Sequence, residues 1–282
     1  MKAYVSIDME GLPGVFHPAQ TYHKGFLYEE AKRIMTHLTV VVAKELISEG
    51  FDEVWIADAH WFMGNIVYDM LPDRVFLVRG MLRPLFMVPC IDRGFDALLL
   101  IGYHAAGGTE AVLSHTLSDR IFAEVTINGR RISEFYLNGM IASSFNVPII
   151  LVAGDDKLKE EVLNLAPWVE YVVTKESISL MSAIMKPIDL VIMELRSSIR
   201  KAVQNLKAGR CKLIPVPKNL CIEIRFRRAH YADIACLLPE VKRVDAYTVR
   251  IRRRSIVDIY NIMQLLALAA MGFDSTIETL IK

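Results

Sequence analysis

The sequence has almost no net charge. Its 33 Lys and Arg residues are balanced by 32 Asp and Glu residues, which leaves a formal charge of +1 at pH 7. A balanced charge gives no overall footprint for nucleic acid or for an acidic membrane surface. Two arginine clusters, within residues 225–228 and 250–254, are more typical of a solvated strand edge or helix start. We therefore expect no nucleic-acid partner and no membrane partner.

Paired cysteines and long hydrophobic runs are also missing. The longest apolar runs, such as residues 262–273, are shorter than the roughly 18 residues of a membrane span. Asp8 interrupts the N-terminal stretch, which therefore does not resemble a signal peptide. The cysteines lie far apart and form no CxxC pair: Cys90, Cys211, Cys221 and Cys236. This pattern is typical of reduced thiols in a cytoplasmic protein and argues against a zinc finger.

Hydrophobic residues are abundant. They make up 53% of the 282 residues and fall into alternating strand-like and helix-like segments. Strands that end in polar residues, with a helix between them, are typical of βαβ units. The pattern predicts an α/β fold, a mostly parallel three-layer α/β/α sheet with a second, smaller α+β domain. We place a metal-binding catalytic domain at residues 1–195 and the smaller domain at residues 196–282.

The individual segments follow from hydrophobic period and turn residues. Strands are predicted at residues 3–7, 54–57, 75–78, 97–101, 123–127, 131–133, 148–152, 171–174, 221–227 and 246–251. Helices are predicted at residues 26–48, 83–88, 134–144, 157–165, 190–208 and 256–271. The Asn128-Gly129 pair predicts a tight hairpin.

Acidic and histidine side chains follow the ends of several predicted strands. Asp8 and Glu10 lie two positions apart, so their side chains face the same way. Two carboxylates on one face repel each other unless a cation or a proton lies between them. Further candidates of this kind are Asp58, His60, His104, His115 and Glu134. Because ligands of open α/β sheets bind beyond the carboxyl ends of the strands, we expect one site at that rim.

Two imidazoles and three carboxylates of this group form a set of candidate metal ligands: Asp8, Glu10, His60, His104 and Glu134. Such a set suits two divalent first-row ions that share a water. Donor atoms without thiolate favour zinc, with manganese or cobalt as alternatives. Single members also have structural alternatives. A histidine at a strand end often serves only as a hydrogen-bonding residue, Asp58 can cap a turn, and Glu134 can stabilise the first helical turn.

The segment S-I-D-M-E-G at residues 6–11 resembles the S-x-D-x-E-G signature of the zinc D-aminopeptidases, the M55 family of peptidases. The similarity continues at Asp58-Ala-His60, Gly102-Tyr-His104, Ser114-His115, residues 129–139 around Glu134, and residues 152–156. It extends in order over most of the chain and weakens after about residue 210. Each piece alone is weak, whereas the combined set is specific.

The resemblance implies a role for each matched residue. Asp8 would bridge two zinc ions, Glu10 and His104 would complete one site, and His60 and Glu134 would complete the other. His115 would match the catalytic histidine, which the family assigns as a nucleophile. Family members are homodecamers of stacked rings around a channel and remove D-amino acids from the N-termini of short peptides.

Small departures from the family pattern concern the surroundings of this site. Ala59 follows Asp58 where a serine is familiar, and residues 105–108 replace a more polar loop. The second change bears on substrate preference more than on metal binding.

Several roles stay open at the level of the sequence. His115 is not needed as a ligand, and we favour a general acid or base, or an oxyanion-stabilising group, over direct attack by imidazole. Asp58 lies two positions before His60 and is therefore a candidate hydrogen-bonding partner behind the metal ligands. Asp155 and Asp156 are candidates to orient the substrate's α-ammonium group, with Lys175 as their partner. Structural ion pairing is the alternative for those three.

The main prediction is therefore a dinuclear zinc aminopeptidase. An alternative is a metal-dependent hydrolase of another amide or ester; the lack of a glycine-rich phosphate loop argues against phosphate esters. A third possibility is a peptide-binding protein of a dipeptide uptake system that never cleaves. This possibility is disfavoured, because we recognise no export signal and no lipid-attachment cysteine in the sequence. Metal content discriminates between catalysis and binding.

Overall fold

The computed structural model describes residues 1–281. Its strands are β1 (Lys2–Ile7), β2 (Glu53–Asp58), β3 (Val75–Val78), β4 (Ala97–Tyr103), β5 (Phe122–Ile127), β6 (Arg130–Arg131), β7 (Ile149–Asp155), β8 (Glu170–Ser179), β9 (Ser182–Met185), β10 (Leu220–Phe226), β11 (Lys242–Arg243) and β12 (Thr248–Arg253). Its helices are α1 (Pro18–Thr21), α2 (Tyr28–Ser48), α3 (Glu134–Ser144), α4 (Asp156–Leu165), α5 (Ile188–Lys207), α6 (Ala229–Ala235) and α7 (Ile256–Ile281).

The main sheet has seven strands in the order β3-β2-β1-β4-β7-β8-β9. All neighbours are parallel except β8 and β9, which form an antiparallel hairpin. Every residue of β4 and β7 is buried, as expected of central parallel strands covered on both faces. Helices α2 and α5 share one hydrophobic core with the sheet, and α3 and α4 share the other. The prediction of a mostly parallel α/β/α sheet is confirmed.

A second, antiparallel sheet has the order β11-β12-β10-β5-β6. Strand β10 pairs with β12 on one side and with β5 on the other, so the sheet combines strands from before and after residue 196. Its apolar residues belong to the same core as α3 and α4. Helix α5 runs through the predicted boundary, and the division into residues 1–195 and 196–282 stays a prediction.

Local sequence signals account for several elements. The apolar spacing of α2 buries Ile34, Leu38 and Leu46, and Glu134 begins α3 as predicted. Asn128 and Gly129 both have positive φ, at 51° and 79°, which is the turn geometry that Asn-Gly favours between two strands.

Three segments differ from the predictions. The helix predicted at residues 83–88 is wrong: the segment forms turns, with Leu85 and Phe86 at φ 59° and 38°. The strand predicted at 171–174 extends to Ser179 and returns as β9, which the sequence analysis missed. The last helix continues ten residues beyond 271.

Helix α7 contains the apolar run at residues 262–273 and extends it in both directions to 26 residues. An 18-residue window within Ile256–Ile281 has a mean hydropathy of 1.6, so by length and composition alone this helix is capable of crossing a membrane. One third of that window is buried inside the protein. The core helix of a globular protein passes the same test, and α7 contributes Ile259, Tyr260 and Met263 to the core beneath the second sheet.

Candidate functional site

The carboxyl ends of β1, β2 and β4 are joined by backbone hydrogen bonds. The amide of Asp8 donates to the carbonyl of Ile101 over 2.8 Å, and the amide of Ala59 donates to Ile7 over 2.9 Å. A Cβ atom at Gly11 would lie 1.8 Å from the carbonyl oxygen of Tyr103, so only glycine permits this approach. The strand ends are therefore held together, and the side chains that follow them converge.

His60 presents one ring nitrogen to two carboxylates. Its Nδ1 lies 2.9 Å from Oε2 of Glu10 and 3.3 Å from Oδ1 of Asp8. Its Nε2 lies 2.7 Å from the carbonyl oxygen of Thr21. Because a carbonyl only accepts hydrogen bonds, Nε2 carries a proton and, in the neutral ring, Nδ1 has the free lone pair. This tautomer suits metal binding through Nδ1.

His104 faces two carboxylates with Nε2, whereas His60 does so with Nδ1. Its Nδ1 lies 3.0 Å from the carbonyl oxygen of Ala105 and donates to it, so Nε2 has the lone pair in the neutral ring. That Nε2 is buried and has no hydrogen-bond partner within residues 1–281. It lies 3.5 Å from Oδ2 of Asp8 and 3.5 Å from Oε2 of Glu134. A buried imidazole nitrogen without a hydrogen bond, placed between two carboxylates, fits a metal ligand.

Glu134 and His115 lie next to this group. Ser133 caps helix α3, which places Glu134 in the first turn, and the amide of Leu117 donates to its Oε1 over 2.6 Å. The Nε2 of His115 lies 3.8 Å from the same oxygen, and its Nδ1 donates to the carbonyl of Leu113 over 2.9 Å. The rings of His104 and His115 are stacked with centroids 4.2 Å apart. His115 is therefore held in place through Nδ1 while Nε2 faces Glu134.

Two overlapping sets of residues each have ligand atoms that all lie within 4.8 Å of one another. The first set is Asp8, Glu10 and His104, and the second is His104, His115 and Glu134. The first set coincides with the ligands expected around one zinc. The second differs from the expected one, because His60 lies beside Glu10 and Asp8 whereas Glu134 lies beside His104. The structure thus brings all five predicted ligands and His115 together. Their division between two ions stays a prediction.

The electrostatics of the cluster are those of a site that needs a cation. Burial, together with repulsion from Glu10, raises the pKa of Asp8 to about 8. Burial also disfavours charge on Glu10, but the adjacent His60 outweighs it and holds the pKa of Glu10 well below its usual range. Conversely, Glu134 and Asp8 overcome the burial of His104 and raise its pKa to about 10. A divalent ion would replace the protons that hold these carboxylates together.

Asp58 acts on the segment that follows His60. It accepts hydrogen bonds from the backbone amides of Asn65 and Ile66 and from Nδ2 of Asn65. The same Nδ2 donates to the carbonyl of His60 over 2.8 Å. Asp58 therefore supports His60 through the backbone of that loop, and not by contact with the imidazole ring.

In the structure the polar atoms of Asp155, Asp156 and Lys175 contact backbone groups. Asp155 is fully buried: Oδ1 caps helix α4, and Oδ2 accepts from the amide of Ala105, next to His104. Asp156 accepts from the amide of Ser177. Neither aspartate lines the pocket described below, so orientation of a substrate ammonium group by them has no support in the geometry.

Lys175 does not form an ion pair with those aspartates. It is fully buried and donates to the backbone carbonyls of Glu10, Leu12 and Val15. Burial lowers the pKa of Lys175 to about 7. Its hydrogen bonds to the three carbonyls hold the loop that follows Asp8 and Glu10.

Backbone groups that contact the cluster were missed by the sequence analysis. The carbonyl of Thr21, the carbonyl of Leu113 and the amide of Leu117 orient His60, His115 and Glu134 respectively. No side-chain pattern marks such groups, since every residue has them.

A pocket of about 420 Å³ opens onto this cluster. Asp8, Glu10, His60, His115 and Glu134 form one part of its lining. The remainder comes from α1 and the residue that follows it, the loops after β2, β3, β4 and β10, the turn of the β8–β9 hairpin and helix α7. His115 and four of the five candidate ligands, all but His104, are therefore accessible to a small substrate.

Comparison with known proteins places the chain in a class. A family model described as D-aminopeptidase, peptidase family M55, matches residues 1–265. The chain belongs to this family. It is a metallo-aminopeptidase of the M55 type. The predicted family and the predicted enzyme class are both confirmed.

Two individual matches stand behind that assignment. A D-aminopeptidase of Bacillus subtilis (strain 168) is 30% identical over 291 residues, covering 96% of this chain and 98% of that protein. The solved structure of the Zn-dependent D-aminopeptidase DppA from Bacillus subtilis, described as a self-compartmentalizing protease, matches with a TM-score of 0.91 and 29% identity. It covers 96% of this chain and 98% of its own.

Proposed function

We propose that this protein binds two zinc ions and hydrolyses N-terminal amino acids, of D configuration, from short peptides. The observation that carries the proposal is the buried Nε2 of His104, which has no hydrogen bond in the described part of the chain and lies 3.5 Å from both Asp8 and Glu134. Nδ1 of His60 provides the matching nitrogen beside Glu10, at 2.9 Å. The donor set is nitrogen and oxygen only, which suits zinc.

In this proposal Asp8 would be shared between the ions, Glu10 and His104 would hold one of them, and His60 and Glu134 would hold the other. Bound zinc supplies a Lewis acid for the amide carbonyl and lowers the pKa of a bound water. The chain's own residues orient the ligands, since Thr21 and Ala105 select the tautomers of the two imidazoles.

His115 moves a proton in this proposal. Its Nδ1 donates to the carbonyl of Leu113, so Nε2 has the lone pair in the neutral ring and can accept a proton from the attacking water. The imidazolium that results lies 3.8 Å from Oε1 of Glu134, which stabilises its charge until the proton passes to the leaving amine. This order of proton transfers makes His115 a general base and then a general acid, and not a nucleophile.

We further propose that the protein acts as a homo-oligomer, a decamer, in the cytoplasm. Large apolar side chains that do not line the pocket are exposed on strands β8 and β9, at Ile178 and Ile184, and on the last turns of α7, where Leu280 is 76% exposed. Exposed apolar surface of this kind is typical of subunit interfaces. The self-compartmentalizing relative supports an oligomer. Light scattering coupled to size exclusion gives the stoichiometry, and a monomer would contradict this part.

Metal analysis and a substrate panel test the main proposal. We expect two zinc ions per chain and faster hydrolysis of D-aminoacyl dipeptides than of their L enantiomers. Removal of zinc with a chelator should abolish the activity, and added zinc should restore it. A chain that binds no metal, or that cleaves esters but no peptides, would contradict the proposal.

A further inference from the structure

Part of the pocket is lined by apolar side chains, which have no atoms that could bind a metal ion or transfer a proton. Six of them, which we call the apolar wall, are Met81, Phe86, Leu180, Met181, Leu268 and Met271. Three are large and remain open to solvent: Met81 is 41% exposed, Leu180 is 51% exposed and Met181 is 49% exposed. Large apolar side chains gathered in one concave pocket are typical of a ligand subsite.

The helical part of the apolar wall is set by the spacing of α7. Gln264, Ala267, Leu268 and Met271 recur at helical intervals, so one face of the helix lines the pocket. The preceding turn of that face is held by Tyr260, whose hydroxyl donates to Oδ1 of Asn138 over 2.6 Å. Asn138 lies one turn after Glu134 on α3. The wall is therefore positioned relative to a metal ligand.

The hairpin part is tied to the catalytic histidine. The amide of Leu113 donates to the carbonyl of Leu180 over 2.9 Å. The carbonyl of Leu113 in turn accepts from Nδ1 of His115. Leu180 and Met181 thus keep a defined distance from His115, as a specificity subsite requires.

Charge at the pocket is confined to few places. Outside the ligand cluster and His115, the charged residues lining the described pocket are Asp119 and Arg227. The Nε of Arg227 donates to the backbone carbonyl of Asp119, and the Asp119 carboxylate accepts from the hydroxyl of Tyr22. No charged side chain therefore belongs to the apolar wall itself, which would leave a charged substrate side chain there without a partner.

We propose that the apolar wall binds the side chain of the substrate's N-terminal residue and selects bulky apolar residues over alanine. This inference rests on the proposed aminopeptidase function. An aminopeptidase cleaves the bond that follows the first residue, so the side chain of that residue lies next to the reacting carbonyl. Because each added methylene buried in a pocket favours the larger substrate about 10-fold or more, a leucine side chain gains substantially over alanine.

Aminoacyl amides test this, since they contain a single side chain. With zinc-loaded protein and the enantiomer that it cleaves, we expect kcat/KM for the leucine and phenylalanine amides to exceed that for alanine amide by at least about 10-fold. Aspartate and lysine amides should be cleaved more slowly than alanine amide. Equal rates, or a preference for alanine or for a charged residue, would overturn the inference.

Leu268→Gln and Leu265→Gln form a matched pair on α7. Leu268 lines the pocket, whereas Leu265 is 52% exposed and does not. The first variant should lower the leucine-to-alanine ratio about 10-fold, and the second should leave it unchanged. Met181→Gln tests the hairpin part independently, in case the α7 variant does not fold. Size exclusion detects any change of assembly, and equal effects of both α7 variants on the ratio would contradict a subsite role.

Binding separates this inference from the proposed function. Titration calorimetry of zinc-loaded protein with amino-acid hydroxamates measures the subsite without hydrolysis. Leucine hydroxamate should bind about 10-fold more tightly than alanine hydroxamate. A protein that shows this preference but hydrolyses no amide supports the subsite and refutes the aminopeptidase. Hydrolysis without any apolar preference refutes the subsite alone.

Discussion

The ligand cluster and the apolar wall line the same pocket but are built in opposite ways. The five candidate ligands are at most 7% exposed and are fixed by backbone hydrogen bonds at the ends of β1, β2 and β4 and the start of α3. The wall comes from a loop, a hairpin tip and a long helix, and several of its side chains are about half exposed. This difference indicates that few substitutions are tolerated in the ligand cluster. Side chains of the apolar wall, in contrast, can be replaced with little effect on the fold.

The largest effect should come from breaking the ligand cluster at its centre. Asp8 lies 3.3 Å from Nδ1 of His60 and 3.5 Å from Nε2 of His104, so Asp8→Asn removes charge from both expected ion sites. We expect loss of both metals and of at least about 10⁴-fold in kcat/KM. Elemental analysis and hydrolysis assays measure this. Asp52→Asn, at an 82% exposed surface carboxylate, is the control. A variant of Asp8 that retains two metal ions would refute the bridging role.

His115→Ala separates proton transfer from metal binding within the same rigid region. The variant should keep both metals and lose about 10²–10⁴-fold in kcat, because only the proton-transferring group is removed. Exposed His37 gives the matched control, His37→Ala, which should behave as the unmodified protein. Loss of a metal ion on His115→Ala would make His115 a ligand.

A smaller effect is expected behind His60. Asp58→Asn weakens the acceptor for three hydrogen bonds that shape residues 60–66. Metal affinity should fall about 10–100-fold, as for other groups that orient a ligand, and excess zinc should restore activity. Competition with a chelator gives the affinity. An unchanged affinity would mean that the loop does not depend on this carboxylate.

The smallest effect concerns the link between the two regions. Tyr260→Phe leaves buried Oδ1 of Asn138 without its donor, which costs about 1–3 kcal/mol of unfolding free energy. Metal content should not change, while the preference for apolar amides should weaken as α7 loses its tether. Tyr247→Phe, at a 44% exposed position, is the control for denaturant unfolding. Unchanged stability and selectivity would show that α7 is held by packing alone.

The convergence of the strand ends and the ligand set were predictable for the same reason. Parallel strands gather their carboxyl ends at one rim, so residues that follow β1, β2 and β4 had to meet there. Buried strands of apolar residues and the 3.6-residue period of α2 are local signals that the tertiary structure did not override. The wrong predictions lie where local signals are weak. Two non-glycine residues within 83–88 adopt positive φ, and β9 is a short strand that pairs with the preceding strand β8.

Asp155, Asp156 and Lys175 illustrate a different limit. Their charge and their place at strand ends suggested substrate binding and mutual pairing. In the structure their polar atoms are used by backbone groups, the amides of Ala105 and Ser177 and the carbonyl of Glu10 among them. Buried polar atoms bind whatever donor or acceptor lies nearest, and in a folded chain that is most often the backbone.

By itself the sequence determined which residues could bind a metal ion and at which end of the sheet they would lie. Alternation along a strand and the parallel βαβ connection are properties of short segments. Only the tertiary structure decided which nitrogen of His60 and His104 faces the carboxylates, and which apolar residues of α7 and the β8–β9 hairpin complete the pocket. Those choices depend on backbone carbonyls and side chains far away in the chain, which meet only after folding.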